Sequence, residues 1–379
     1  MMVTKYTIIL YTPQELNHSS NIQAGLFELK HLGFIDLKVK INTQKRLGRI
    51  IVSDTGKITK TNQAHPKTSF YQLINNKDKT ESLFACDLYD FANHFSLEAL
   101  KKCDYIFKRS YESKYVDALP EEYKHKIIPL GLTFGVHSHH KKQSFKFLIG
   151  LFLSNCKVNL RWDRLVFSRL FKTIKAQQKH WSFINTTRKL ERFEDYVVGK
   201  NKIILFQTRC FLNEVDEDVT SIHQQRYHLI KLLRKNFPKT FLGGFVPSKI
   251  STKKYNDALT NVSSEPEKYL DVLKNSKIVI YTRGLANSPA WKMAEYLSQG
   301  KVIIAEALST QLPVPLTHGK ELLFFNDDEE LLIIINKVLK DEKLSQSLSK
   351  NARKYFEEHI HPTQNVKRIL ELMISESLD

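Results

Sequence analysis

The order of apolar runs along the chain predicts an α/β protein of two Rossmann-like domains, each with a parallel sheet, joined by a basic helical connector. Three observations predict it. Short runs rich in Ile, Val and Phe alternate with amphipathic segments in both halves. The two series are separated by a stretch that fits neither pattern, and that stretch holds most of the excess positive charge. A length of 379 residues accommodates two domains of ordinary size. With 42% hydrophobic and 26% charged residues the composition is globular, which excludes wholesale disorder and a fibrous class.

The first series places strands at residues 6–11, 35–41, 82–86, 104–107 and 126–130, with helical patterning over 21–31. Continuous apolar runs of this length suit strands covered on both faces by crossover helices. A second series follows at 203–206, 240–245, 277–281, 301–305 and 321–325. The acidic residues 327–330 favour a helix start, 344–358 reads as a second helix, and Pro362 opens a last one ending near 378. The domains are therefore 1–136, a connector over 137–200, 201–360, and a C-terminal helix over 361–379 returning to the first domain.

The formal net charge is +18. Residues 141–202 carry 15 basic against 4 acidic side chains, whereas 1–140 carry 19 against 14 and 203–379 carry 24 against 22. Within the basic segment Trp162, Leu165, Val166, Leu170 and Ile174 recur at helical spacing, with Arg164, Lys172 and Lys175 directed elsewhere. Such a helix either packs on a domain or meets an anionic membrane through those three residues. The longest apolar run, 147–153, is far short of the roughly 20 residues that span a bilayer. With no secretion signal and four cysteines lacking CxxC spacing, the expectation is a cytoplasmic protein, peripheral on the inner face of the membrane. His137, His139 and His140 have no Asp, Glu or Cys beside them and read as loop residues, so no metal and no cofactor are expected. A nucleic-acid partner is not expected either, because the aromatics of the basic segment follow core spacing and no recognition motif is present.

The chemistry concentrates in residues 281–300. Ser288 suits a helix N-cap, Pro289 the first helical position and Gly300 the left-handed residue at the helix end. A helix N-terminus is thus delivered at the carboxyl end of a strand, where open α/β sheets bind ligands and where backbone N–H groups favour phosphate. Lys292 and Glu295, three apart, share a helical face. They form either a phosphate and ribose pair or an ordinary surface ion pair.

The pattern Ser288-Pro-Ala-Trp-Lys292-Met-Ala-Glu295-Tyr-Leu-Ser-Gln-Gly300, with Lys320-Glu-Leu-Leu-Phe-Phe-Asn-Asp and Asn351-Ala-Arg-Lys-Tyr, resembles the C-terminal half of group-1 glycosyltransferases of the GT-B fold. The resemblance covers about the last 180 residues in motif and the first 140 only in layout. It implies two domains facing a cleft and a nucleotide-sugar donor held by the second. It also implies that Glu295 binds the donor ribose and that a basic residue after the first strand of that domain meets the diphosphate. Arg209 fits that position, with Arg283 as a second clamp; planar guanidinium suits phosphate oxygens. Many members of the family carry an acidic residue eight positions before the glutamate. Asn287 stands there, a departure that leaves the sugar and the stereochemistry open.

In the first domain the loop and helix start after the first strand bring His18, Ser19 and Ser20. His18 is either a general base or a helix-start residue. Asp87 and Asp90 follow one strand and Arg109 another, so Asp90 is a second candidate base and Ser19, Ser20, Asp87 and Arg109 fall on the acceptor side. The expected activity is transfer of a sugar from a nucleotide diphosphate to a glycan or lipid-linked acceptor hydroxyl, in polysaccharide or glycolipid synthesis, by a hexosyl- or related transferase. The alternatives are a non-catalytic nucleotide-sugar-binding module and an epimerase or hydrolase on the same fold.

Overall fold

Strand and helix alternate in both halves of the chain. The computed structural model describes residues 5–12, 14, 16–41, 47–138, 140, 188–197, 201–212 and 216–375. It divides into two units, one of Met1–Leu190 with His361–Asp379 and the other of Glu191–Ile360. Arg164, Lys172, Lys175 and His139 lie outside the described residues, as does most of the expected connector.

Unit 1 begins with β1 (Tyr6–Thr12), α1 (Leu16–His31) and β2 (Ile35–Ile41), a parallel strand–helix–strand turn of the kind its apolar runs predict. Then come β3 (Arg49–Val52), β4 (Ile58–Thr61), β5 (Thr68–Asn75), β6 (Glu81–Asp87) and β7 (His94–Ser96). The unit continues with α2 (Leu97–Lys102), β8 (Tyr105–Lys108), α3 (Ser113–Val116), α4 (Glu121–Lys124) and β9 (Ile127–Pro129). Six strands form one sheet in the order β2-β1-β5-β6-β8-β9, and β4-β3-β7 form a small second sheet. The expectation of a wholly parallel sheet fails in this unit: β5 runs antiparallel to both β1 and β6. The cause is local. A tight turn around Lys79, in the left-handed region at φ 64°, folds β5 directly back into β6, and a strand returned so soon can only pair antiparallel. One face of the sheet packs Ile8, Leu10, Tyr71, Phe84 and Phe107 with Ile22 and Leu26 of α1. The other face packs Phe70, Ala85 and Ile106 with Ile50, Val52, Phe95 and Leu100.

Unit 2 runs α5 (Glu191–Glu194), β10 (Ile204–Thr208), α6 (Glu217–Asn236), β11 (Phe241–Phe245), α7 (Lys249–Lys254), α8 (Pro266–Asn275) and β12 (Ile278–Tyr281). It ends with α9 (Trp291–Ser298), β13 (Val302–Ala305), β14 (Leu323–Phe324), α10 (Asp328–Lys340) and α11 (Glu342–Tyr355). All five strands pair in parallel, in the order β11-β10-β12-β13-β14. The Asp327 side chain caps α10 by accepting from the Glu330 N–H, so the acidic run does start a helix. After unit 2 the chain re-enters unit 1 as α12 (Pro362–Ser375), whose Val366, Ile369, Leu370 and Met373 join the α1 side of the core. Gly25 permits this approach: a Cβ there would meet the Pro362 carbonyl oxygen at 2.2 Å and Val366 Cγ2 at 2.6 Å. Among the described residues no helix is long and apolar enough to cross a membrane.

Candidate functional site

In unit 2 the strand order reverses between β10 and β12, because β11 lies on one side of β10 and β12 to β14 on the other. At such a switch point the loops leaving neighbouring strands part and open a crevice beyond their carboxyl ends. Arg209 follows β10 there and is exposed, while Arg283 follows β12. The helix after β12 is α9. It closes as expected of its sequence: Gly300 takes φ 51°, its N–H bonds to the Leu297 carbonyl at 3.0 Å and the Lys301 N–H to that of Tyr296 at 3.1 Å.

Its beginning differs from expectation. Ser288 is not the N-cap and Pro289 is not the first helical residue; Ala290 caps the helix and Trp291 begins it. Ser288 closes the preceding loop instead, accepting from Gly284 N–H and donating its own N–H to Leu285, both at 3.0 Å. Ala290 then stays extended, with its N–H held by the Tyr281 hydroxyl at 2.9 Å. The helix start consequently has no side-chain cap and no acidic residue in its first turn, which suits an anion.

Lys292 reaches back from α9 to β10, donating to the Gln207 carbonyl while lying 5.0 Å over the Tyr269 ring. Its charge therefore sits at the strand end that leads into Arg209. Glu295, one turn along, is buried. Arg283 is engaged more firmly than a clamp waiting for ligand, since its guanidinium pairs with Asp218 and its N–H bonds to Glu306 at 2.8 Å. Asn287 is exposed. It and Ala286 both occupy the left-handed region, at 58° and 52°, a costly arrangement for two residues with side chains. Asp218 holds the loop there by accepting from the Ala286 N–H at 2.8 Å.

Beneath these loops lies Arg226, only 6% exposed. It donates to the carbonyls of Arg209 at 3.0 Å and Arg283 at 3.1 Å, so one buried side chain ties both loops of the switch point. Burial lowers its pKa to about 10, and it stays charged at neutral pH. Sequence reading passed over Arg226, Asp218 and Glu306. Asp218 stands in an acidic helix start, a visible signal; for Arg226 on α6 there is none.

In unit 1 the expected residues gather at one sheet edge. Register aligns Thr68, Asp87, Lys108 and Pro129 across β5, β6, β8 and β9. Asp87 is buried and accepts from His65 at 2.9 Å and Lys108 at 3.1 Å. Burial opposes its charge, but His65 and Lys108 outweigh burial and hold the carboxyl far below its usual range. Asp90 lies between Lys67 at 2.6 Å and Arg109 at 2.8 Å. Its burial likewise works against ionisation, and Arg109 and Lys67 prevail, lowering its pKa. That makes Asp90 a weak proton acceptor, contrary to its expected role as a base. His18 stands on the first turn of α1 with its Nε2 at 3.2 Å from the Lys67 ammonium, which leaves the lysine as donor and the ring as acceptor. Ser19 and Ser20 are buried, serving Gln23 and the N–H of Val136. His65 and Lys67 were not singled out in the sequence, because only folding brings them to Asp87 and Asp90. His140 stacks on His31 at 3.7 Å and His137 bridges to Lys189, so both sit in loop packing.

Residues 227–371 match the family model described as glycosyl transferase-like. Among curated proteins, none matches the sequence. Among solved structures, the C-terminal domain of a group 1 family glycosyl transferase from Francisella tularensis is 12% identical over 42% of this chain and 85% of that one, with a TM-score of 0.28. Anabaena HepE, solved with UDP and glucose, is 11% identical over 98% of this chain and 100% of its own, with a TM-score of 0.37. Sucrose-phosphate synthase from Thermosynechococcus elongatus is 13% identical over 74% and 75% of the two chains, with a TM-score of 0.37. The matched residues are most of unit 2 together with most of α12. Ser288 to Gly300 and the segments after it, from which the resemblance to group-1 glycosyltransferases was drawn, lie within the matched residues.

Proposed function

We propose that the protein transfers a sugar, a hexose or a relative of one, from a nucleotide-diphosphate donor to an acceptor hydroxyl in the synthesis of a cell-surface polysaccharide or glycolipid. The observation that carries this reading is the switch point of unit 2, where the uncapped start of α9 follows β12, Lys292 reaches across to the end of β10 and Arg209 follows that strand. In such a transfer the bond from the anomeric carbon to the diphosphate breaks while negative charge grows on the leaving oxygens. Fixed positive groups there lower the barrier. Arg209, Lys292 and the N–H groups at the start of α9 are assigned to that charge, and Glu295 to the ribose hydroxyls. Arg226 holds the two loops in register from below. Should the reaction invert configuration, His18 is the better base of the two expected, and it can take a proton only once Lys67 has turned its N–H away from Nε2.

The test is calorimetric titration with UDP, GDP and ADP. One of them is expected to bind, and Lys292→Met to weaken it roughly ten- to hundredfold, the worth of a charge-assisted hydrogen bond. Glu295→Gln should weaken the nucleoside diphosphate but not inorganic diphosphate. No binding of any of the three would refute the reading; binding followed by donor turnover in the absence of every acceptor would favour a hydrolase or epimerase. The basic segment over 141–202 is assigned to an anionic membrane surface, at roughly 1 kcal/mol per Lys or Arg. Replacing Arg164, Lys172 and Lys175 with Gln should lower co-sedimentation with acidic liposomes.

A further inference from the structure

We propose that the α1 side of the unit 1 sheet edge binds a hydroxylated monoanion, a sugar carboxylate or a phosphodiester, with Lys67 and Arg109 meeting its acidic group. Calling this ligand the acceptor rests on the glycosyltransferase reading; the site itself does not.

The argument begins with which face each residue occupies. Side chains alternate along a strand, so Arg109, two residues beyond Phe107, lies on the face that packs α1, while Asp87 and Lys108 lie on the other. Lys67 and Arg109 converge on one carboxylate, Asp90, and His18 adjoins the lysine. Lys67 holds this place at φ 59°, left-handed for a residue with a long side chain. The strain accompanies a lysine that keeps 23% of its side chain open to solvent, alongside Asp90 at 19%. An ion pair needed only for stability gains little from such a position.

Charge then selects the ligand. Lys67 and Arg109 against Asp90 leave one positive charge among these three side chains. One negative charge completes the balance; two would overshoot it and face Asp90. The reason to expect hydroxyl groups is independent. Asn21 follows His18 by three residues and shares its helical face. It is fully buried, and neither its amide oxygen nor its amide nitrogen meets a protein partner among the described residues. A buried amide with both functions unmet is costly. A hydroxyl, donor and acceptor at once, satisfies both.

Calorimetric titration of the full-length protein with methyl glucuronide, glycerophosphoglycerol, methyl glucoside and glucose 6-phosphate tests the site. At least one of the two monoanions should bind about tenfold or more tighter than methyl glucoside, and which of them does so separates a sugar acid from a phosphodiester. Lys67→Met should abolish that preference and Lys67→Arg should retain it. Rising salt should weaken the monoanion and leave the glucoside unchanged, a readout that needs no variant to fold. Equal affinity for neutral and monoanionic probes, tighter binding of the glucose 6-phosphate dianion, flat salt dependence, or no binding of any probe would overturn the proposal. UDP titrated into the same samples reports on the donor reading by itself. Its binding should be untouched by Lys67→Met, and its absence in the wild type would sink the donor reading while leaving the acidic-ligand site standing.

Discussion

Lys301 immediately precedes β13 and is 1% exposed, donating to the Lys274 carbonyl at 2.7 Å and to that of Val197 at 3.3 Å. Burial lowers its pKa from 10.5 to about 7, with nearby Lys274 adding to the shift. The sign follows from proton counts. Between pH 7 and about 10.5 the unfolded chain keeps a proton that the folded lysine has released, so stability rises with pH across that window. Below it both states are protonated and the burial penalty stands in full, roughly a few kcal/mol. Urea midpoints of the wild type measured from pH 6 to 9.5 should therefore climb relative to Lys301→Met, which lacks the titration. Parallel curves would refute the assignment. None of this is legible in the sequence, where Lys301 reads as a polar residue ahead of an apolar run. The same holds for Arg226 and Lys67, whose roles are made by residues far along the chain. Gly300 was legible because the helix end it serves depends on its immediate neighbours.

At the scale of elements, what local chemistry decides was legible and what pairing decides was not. All five strands of unit 2, and β1, β6, β8 and β9 of unit 1, are built around short apolar runs, and β2 alternates apolar and charged residues; these the sequence shows. The run Thr68-Ser-Phe-Tyr-Gln-Leu-Ile-Asn75 mixes polar and apolar residues, because its neighbours rather than its own composition place it between β1 and β6. The start of α9 was misplaced by two residues for a similar reason: the Tyr281 hydroxyl, on the preceding strand, holds Ala290 extended where Ser288 and Pro289 alone would begin a helix. Two glycines make the element scale testable. In Gly300→Ala a left-handed residue gains a Cβ at 3.0 Å from the Ser349 carbonyl oxygen, with an expected loss of about 1–2 kcal/mol from the conformation alone. Gly25→Ala should cost more, because its Cβ would strike the Pro362 carbonyl and force α1 and α12 apart. Chemical denaturation of both variants should rank them in that order.

Over the whole molecule the chain visits unit 1, then unit 2, and returns, so unit 2 is inserted into unit 1 and α12 completes a core begun some 350 residues earlier. The family match spans the same junction, running from α6 of unit 2 through to α12. Val366, Ile369, Leu370 and Met373 cover apolar surface of α1 and the sheet beneath it, and Arg368 donates to the Leu130 carbonyl at 2.5 Å beyond β9. Removing a helix with four buried apolar side chains forfeits roughly 6–12 kcal/mol of burial, comparable to the whole stability of an ordinary domain. A chain ending at Ile360 should thus lose the fold of unit 1. Unit 2 keeps every strand of its sheet and the full switch point within Glu191–Ile360, so it should remain folded. Hydrogen exchange of the shortened chain should show β1, β6 and β8 unprotected and β10, β12 and β13 protected. Binding of a nucleoside diphosphate should persist in it, because every group assigned to that ligand, from Arg209 to Glu295, lies in unit 2. Loss of protection across both sheets would mean that the two units fold as one, and protection retained in β1 would mean that α12 contributes far less than its buried side chains imply.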